Sequence, residues 1–181
     1  MMEMKRPALP LTGECPCEAV RFEVSAMPLL IYACHCTECQ RWSGRAFSMS
    51  MPVASKSFRV VRGEPKPWRR IGASGVQSTY WFCGDCGGRV YGERDARPDI
   101  RAVRAGTLDD TSWLRPVAHV YMRSAQPWEQ LAGRGTLRDH AEGFLDARRQ
   151  VAADVAGVMK RSSVAESLEK SSQPAYVAVS V

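Results

Sequence analysis

The stretch ACHCTECQRWSG, residues 33–44, brings Cys34, Cys36 and Cys39 close together, with His35 between the first two. The other four cysteines stand in two pairs, Cys15–Pro16–Cys17 and Cys83–Gly84–Asp85–Cys86. Seven is an odd number, which a closed set of disulfides does not give. The start of the chain offers only Ala8 to Leu11 as an apolar stretch after Lys5 and Arg6, too short for the core of a signal peptide. The cytoplasm is therefore the expected compartment, where thiols stay reduced. Metal ligation is the chemistry that these cysteines lead one to expect.

Zinc held for structure takes four thiolates or imidazoles in a closed tetrahedron, whereas catalytic zinc takes three protein ligands and keeps a position open. Seven cysteines divide naturally into four and three, the two pairs making the closed site and the triplet the open one. Side chains alternate along a strand, so strand geometry would point Cys15 and Cys17 one way, and likewise Cys34 and Cys36. His35 would then face away from the sulfurs, in a packing or supporting role. Cys36-x-x-Cys39 suits a tight turn, and in CGDCGG the residues Gly84, Gly87 and Gly88 permit positive φ beneath the sulfurs. One zinc on the two distant pairs would tie residue 15 to residue 86, and structural zinc contributes about 10–16 kcal/mol of apparent binding energy to folding. CGDC could instead be a redox dithiol, but no βαβ pattern surrounds it.

The elements that must position these thiols read mostly as short strands. AVRFEV alternates Val20, Phe22 and Val24 with polar partners, and AFSMSMPV, SFRVVRG, STYWFC, RVYGE, IRAVRAGTL and PVAHVYM are further strand candidates. RGEPKPWRRIGASG, residues 62–75, reads as a Pro/Gly-rich loop. From about residue 136 the texture changes. Leu137, Ala141, Phe144, Leu145, Val151, Val155 and Val158 lie on a helical stripe, expected to pack on the domain or on a second copy as a homodimer contact. The expected organisation is an N-terminal arm over 1–11, a mainly β zinc-binding domain over 12–131, and a C-terminal helix and tail over 132–181. With 181 residues, 45% hydrophobic and 24% charged, the chain has the make-up of a globular protein, and it lacks an apolar run near 18 residues, so no membrane span is expected. The formal charge of +6 is spread along the chain without a dense Lys/Arg run, which argues against nucleic acid as a partner.

The arrangement Gly13-x-Cys15-x-Cys17, Cys34-x-Cys36-x-x-Cys39-x-Arg41-x-Ser43-Gly44, Phe82-Cys83-x-x-Cys86-Gly87, Gly106-Thr107-Leu108-Asp109 and a late Trp128 resembles the glutathione-dependent formaldehyde-activating enzymes, a family that shares its domain with centromere protein V. The resemblance covers residues 10–130 and leaves out the C-terminal tail. It implies a fold of the β-tent type, with antiparallel sheets around two zincs per chain. It also implies a structural zinc on Cys15, Cys17, Cys83 and Cys86 and a catalytic zinc on Cys34, Cys36 and Cys39, in agreement with the division into four and three. The implied reaction joins glutathione and formaldehyde into S-hydroxymethylglutathione, a carbon–sulfur lyase activity read in the forming direction.

Three thiolates fit such a task. They leave Zn²⁺ at a formal charge of −1 and donate strongly, so the metal is a poorer acid for water than a tris-imidazole zinc. A soft thiolate suits the fourth position better. Glutathione carries two carboxylates, onto which Arg41 and Arg45 could fork. Trp42 could wall the pocket or pack in the core, and Ser43 with Gly44 could offer hydroxyl or backbone donors. His119 and Asp109 are candidates for proton handling, with a structural role the simpler expectation for each. The alternative is a non-enzymatic binding module for protein or nucleic acid in which zinc serves only the fold, although such a module has little need of an open three-thiolate site.

Overall fold

The computed structural model describes residues 7–71 and 75–129. These fall into two compact units, one drawn from Met1–Tyr32 and Met49–Pro116, the other from Ala33–Ser48 and Val117–Val181. The fold is mainly β. The helix expected over 137–160 lies outside the described residues. Among the described residues no helix is long and apolar enough to cross a membrane.

Period-two alternation builds the first unit. Strand β1 (Leu11–Glu14) buries Leu11 and Gly13, and β2 (Arg21–Val24) buries Phe22 and Val24. With β5 (Phe58–Arg62) they form a three-stranded antiparallel sheet in the order β1-β2-β5. Strands β4 (Ser48–Ala54), β6 (Lys66–Ile71), β7 (Gln77–Phe82), β8 (Arg89–Arg94) and β9 (Arg97–Arg104) pair antiparallel in the order β4-β9-β8-β7-β6. Phe22, Val24, Met51, Val53, Val90 and Val103 are wholly buried. Burying a side chain of this size stabilises a fold by about 1.5–3 kcal/mol. Phe58 bridges Phe22 and Tyr91, at ring-centroid distances of 5.5 and 4.6 Å, and Trp81 stacks on Tyr91 at 5.6 Å.

In the second unit, β3 (Tyr32–Cys34, whose first residue belongs to the other unit) lies beside β10 (Ala118–Val120), and the His35 N–H donates to the Val120 carbonyl at 3.0 Å. Helix α1 (Thr37–Ser43) follows β3 directly and is closed by Gly44 in the left-handed conformation.

Three local expectations need correction. Residues 66–71, expected within a loop, form β6, an almost wholly exposed strand with Trp68 and Ile71 facing solvent. Without a buried face there is no alternation to read, and Pro67 argues against a strand except at an edge. Cys15-Pro16-Cys17 lies in a turn after β1, not in a strand. Cys36 and Cys39 belong to a helix start, not to a tight turn alone.

Gly13 pairs with Leu108 across an isolated bridge. A Cβ there would lie 2.4 Å from the Thr107 carbonyl oxygen and 2.5 Å from the Phe22 ring. The first of these is backbone and the second is locked in the core. Gly13→Ala is therefore expected to cost about 1–3 kcal/mol by overpacking. Val61→Ala, at a 41% exposed site, should stay within about 0.5 kcal/mol. Urea unfolding of both variants checks this, and equal effects would contradict the close approach at Gly13.

Candidate metal centres

The structure gathers the seven cysteines into two groups. The sulfurs of Cys15, Cys17, Cys83 and Cys86 all lie within 4.8 Å of one another, and so do those of Cys34, Cys36 and Cys39. None of the seven forms a disulfide.

The four-cysteine group joins the turn after β1 to the loop between β7 and β8. Glu18, at φ 64°, closes the first turn, with its N–H donating to the Cys15 carbonyl at 2.9 Å. In the second loop the Cys83 N–H donates to the Gly88 carbonyl at 2.9 Å and the Gly87 N–H to the Cys83 carbonyl at 3.1 Å. Of the three glycines in CGDCGG, Gly87 alone has positive φ, at 69°. Gly88 is needed for a different reason, since a Cβ there would meet the Pro16 ring at 2.6 Å. The sulfurs of Cys15 and Cys17, and of Cys17 and Cys83, are 3.6 Å apart. Tetrahedral zinc–thiolate bonds of about 2.3 Å place sulfurs roughly 3.8 Å apart, so the group fits such an ion. Backbone N–H groups also donate to the sulfurs, from Val20 to Cys15 at 3.2 Å, Asp85 to Cys83 at 3.4 Å and Gly88 to Cys86 at 3.4 Å. Such bonds favour the thiolate form. Backbone hydrogen bonds from Cys86 and then Asp85 bring the Cys83 thiol down to about 7.

The triplet is built differently. Cys34 is the buried last residue of β3. Cys36 is the N-cap of α1, with its sulfur accepting the Cys39 N–H at 3.3 Å in place of the usual hydroxyl or carboxylate cap. Cys39 lies in the first turn of that helix. Hydrogen bonding to Cys36 and then Cys39, with burial, pushes the Cys34 thiol well above its ordinary range. Three sulfurs crowded together hold protons tightly until a cation replaces them. Among the described residues no fourth metal-ligating side chain joins the triplet.

His35, between the first two of these cysteines in sequence, is fully buried. Its Nε2 is 2.9 Å from His119 Nδ1, and the Phe47 ring lies 5.2 Å away. Burial lowers the His35 pKa below the ordinary imidazole value. His119 is buried with it. Asp109 accepts from Thr12 Oγ1 at 2.5 Å and from Arg21 at 2.6 Å, in the other unit.

Beyond Cys39, α1 continues into a cleft of about 390 Å³ lined by Gln40, Arg41, Gly44, Arg45, Ala46, Gln126 and Trp128. Arg41 and Arg45 are exposed and, among the described residues, form no ion pair. Trp42 is 38% exposed and Trp128 68%. The Ser43 hydroxyl donates to the Cys39 carbonyl at 2.7 Å, and the Gly44 N–H donates to the Gln40 carbonyl at 2.8 Å. Both donors are thus engaged within the helix end. Sequence reasoning passed over Gln40, Ser124 and Gln126. Gln40 Nε2 donates to the carbonyls of His35 at 2.7 Å and Ser124 at 2.6 Å, and Gln126 Nε2 donates to Gln40 Oε1 at 2.8 Å. The only signal for Gln40 was its place directly after Cys39.

A family model described as glutathione-dependent formaldehyde-activating enzyme matches residues 10–124, more than half of the chain. A Sordaria macrospora protein provisionally named a glutathione-dependent formaldehyde-activating enzyme is 26% identical over 107 residues, covering 56% of this chain and 44% of that protein. The chain thus spans less than half the length of this relative. The solved structure of a Rhodobacter sphaeroides protein is similar with a TM-score of 0.46 and 24% identity, covering 59% of this chain and 92% of its own. The cysteine groups and the match over residues 10–124 lead to one conclusion: the chain belongs to the glutathione-dependent formaldehyde-activating enzyme family.

Proposed function

We propose that this protein is a zinc-dependent carbon–sulfur lyase/synthase acting on glutathione adducts, of the type that joins glutathione and formaldehyde into S-hydroxymethylglutathione. The observation that supports this reading most is the grouping of Cys34, Cys36 and Cys39 without a fourth protein ligand among the described residues, beside a cleft that carries two arginines. In this reading Cys15, Cys17, Cys83 and Cys86 hold a structural zinc and the triplet a catalytic one.

Zinc bound by the triplet would supply a soft position at which a substrate thiol is acidified and oriented as the fourth ligand. The three cysteines hold that position open and fix its direction. Arg41 and Arg45 bind the carboxylates of glutathione, each as a planar fork that a flexible lysine would not match. Trp42 and Trp128 flank the peptide and limit access of water, while Ser43 and Gly44 hold the end of α1 through the Cys39 and Gln40 carbonyls. In the net reaction the thiol sulfur adds to the formaldehyde carbon, and the thiol hydrogen ends on the new hydroxyl. The same proposal takes residues 12–131 as the zinc-binding domain and the cytoplasm as its location.

Two zincs per chain are expected by elemental analysis, released to a strong chelator in two steps. Cys86→Ser should cost several kcal/mol, because it opens the site that ties residue 15 to residue 86. Cys39→Ser should leave a folded chain that retains one zinc. Melting curves and metal content distinguish the two, and equal collapse would make the triplet structural as well.

Cobalt in place of zinc reports on the fourth ligand, because thiolate-to-cobalt charge-transfer absorption grows with each sulfur bound. Glutathione is expected to raise this band, and S-methylglutathione is not. Arg41→Ala should weaken glutathione binding by about 1.5–3 kcal/mol, the value of a hydrogen bond to a charged group, reduced toward 1 kcal/mol by exposure. It should hardly affect a thiol without carboxylates. If no thiol perturbs the spectrum of the cobalt-loaded triplet, the thiol-activation reading fails and a zinc-stabilised binding module takes its place.

A further inference from the structure

Helix α1 carries Cys39 and is capped by Cys36, yet none of its seven residues is buried. No wholly buried side chain therefore anchors it. Polar contacts of one of its side chains tie it to the strand end and to the turn at Ser124. The Gln40 amide has two N–H donors, and both are used: one on the His35 carbonyl, the other on the Ser124 carbonyl. Its oxygen accepts from Gln126. A flipped amide would set Oε1 against two carbonyl oxygens and its NH₂ against another NH₂, so one orientation satisfies the network. The His35 carbonyl belongs to the peptide that leads into Cys36, midway between two of the three sulfurs. On its backbone side Gln40 donates to the Cys36 carbonyl at 3.0 Å. Residue 40 thus grips both the strand end and the helix start from which the three sulfurs project.

The other anchor is itself held in an unfavourable shape. Ser124 closes a short 3-10 turn, Met122–Ser124, entered through Tyr121 at φ 59° and ψ 43°, a left-handed conformation that a tyrosine seldom adopts. The Ser124 N–H and hydroxyl both return to the Tyr121 carbonyl, at 3.2 and 3.1 Å. Backbone strain of this kind persists where the surroundings over-determine it, and it clusters at functional sites.

We propose that Gln40 is the positioning residue of the three-cysteine site, its amide setting the mutual placement of Cys34, Cys36 and Cys39 and so the affinity and ligand field of the metal bound there. The inference rests on the reading of the triplet as a metal site. It requires no contact between Gln40 and the metal. Groups that orient ligands from behind in this way alter metal affinity by about 10–100-fold when removed.

The test uses the full chain, with zinc competed against a chelator of known affinity and with cobalt as the spectroscopic probe. Gln40→Met keeps length and shape but removes every amide hydrogen bond. It is expected to weaken the triplet's metal-binding step by about 10–100-fold, shift the d–d bands of cobalt at that site, and leave the four-cysteine step within about twofold. Gln40→Glu, which sets oxygens against both carbonyls, should do at least as much. Gln126→Ala removes a single partner and should produce a smaller loss at the same step, and it decides the matter if the Gln40 variants fold poorly. Unchanged affinity and cobalt spectrum at the triplet in Gln40→Met and Gln126→Ala would overturn the proposal. So would an equal loss at both steps, which would make Gln40 a general fold residue. If the unaltered chain takes metal only at the four cysteines, the metal reading of the triplet falls, and this inference with it. Metal uptake at the triplet that is insensitive to Gln40 would sink the inference alone.

Discussion

Thiolate crowding is the constraint on which this structure turns. Sulfurs 3.6 Å apart cannot all be ionised without a cation between them, because each charge raises the cost of the next. The chain folds its seven cysteines into two groups, each with sulfurs within 4.8 Å of one another, that could hold metal ions. The effect is most visible in the four-cysteine group. It links the end of β1, in the three-stranded sheet, to the β7–β8 loop in the longer run of strands. That link lies at one end of a core otherwise held by Phe22, Phe58 and Tyr91. Residues that look incidental follow from it. Gly88 lacks a side chain because Pro16 fills that space, and Pro16 stands there because its neighbours on both sides supply sulfur.

The triplet obeys the same constraint with a different support. The four-cysteine group is embedded in sheet ends, where pairing and apolar burial fix the backbone. The triplet is carried by a short strand and a helix without a fully buried residue. Hydrogen bonds tie the two together, through the Gln40 amide and the Cys36 sulfur cap. Hydrogen bonds are directional and individually modest, about 0.5–1.5 kcal/mol net, so they orient more than they stabilise. The four-cysteine group is thus anchored where the strands end, and the triplet by directional contacts.

Much of this was legible in the sequence because sulfur is scarce and its spacing is informative. The division into four and three needed only counting and the difference between closed and open zinc. Strands with one buried face, such as Arg21–Val24, announced themselves by alternation. Strand β6 did not, because both its faces are exposed and a proline interrupts it. The strand geometry assigned to Cys15-Pro16-Cys17 was right in its consequence and wrong in its means, whereas Cys34 does end a strand and Cys36 keeps an extended backbone as the helix N-cap. A turn and a helix N-cap also converge sulfurs, and nothing in a two-residue spacing distinguishes them from a pleat. The Gln40 network was illegible for a more basic reason: its partners are backbone carbonyls, which carry no residue identity, and a glutamine 86 residues away.

His35 shows how far such reasoning carries. It sits between two cysteines and would be the obvious fourth ligand by composition. Backbone direction turns it the other way, into full burial against His119 and Phe47. Burial lowers its pKa, since a charged imidazolium would lose its hydration there. That no fourth protein ligand joins the triplet among the described residues is thus a matter of where His35 lies as much as of the cysteine count.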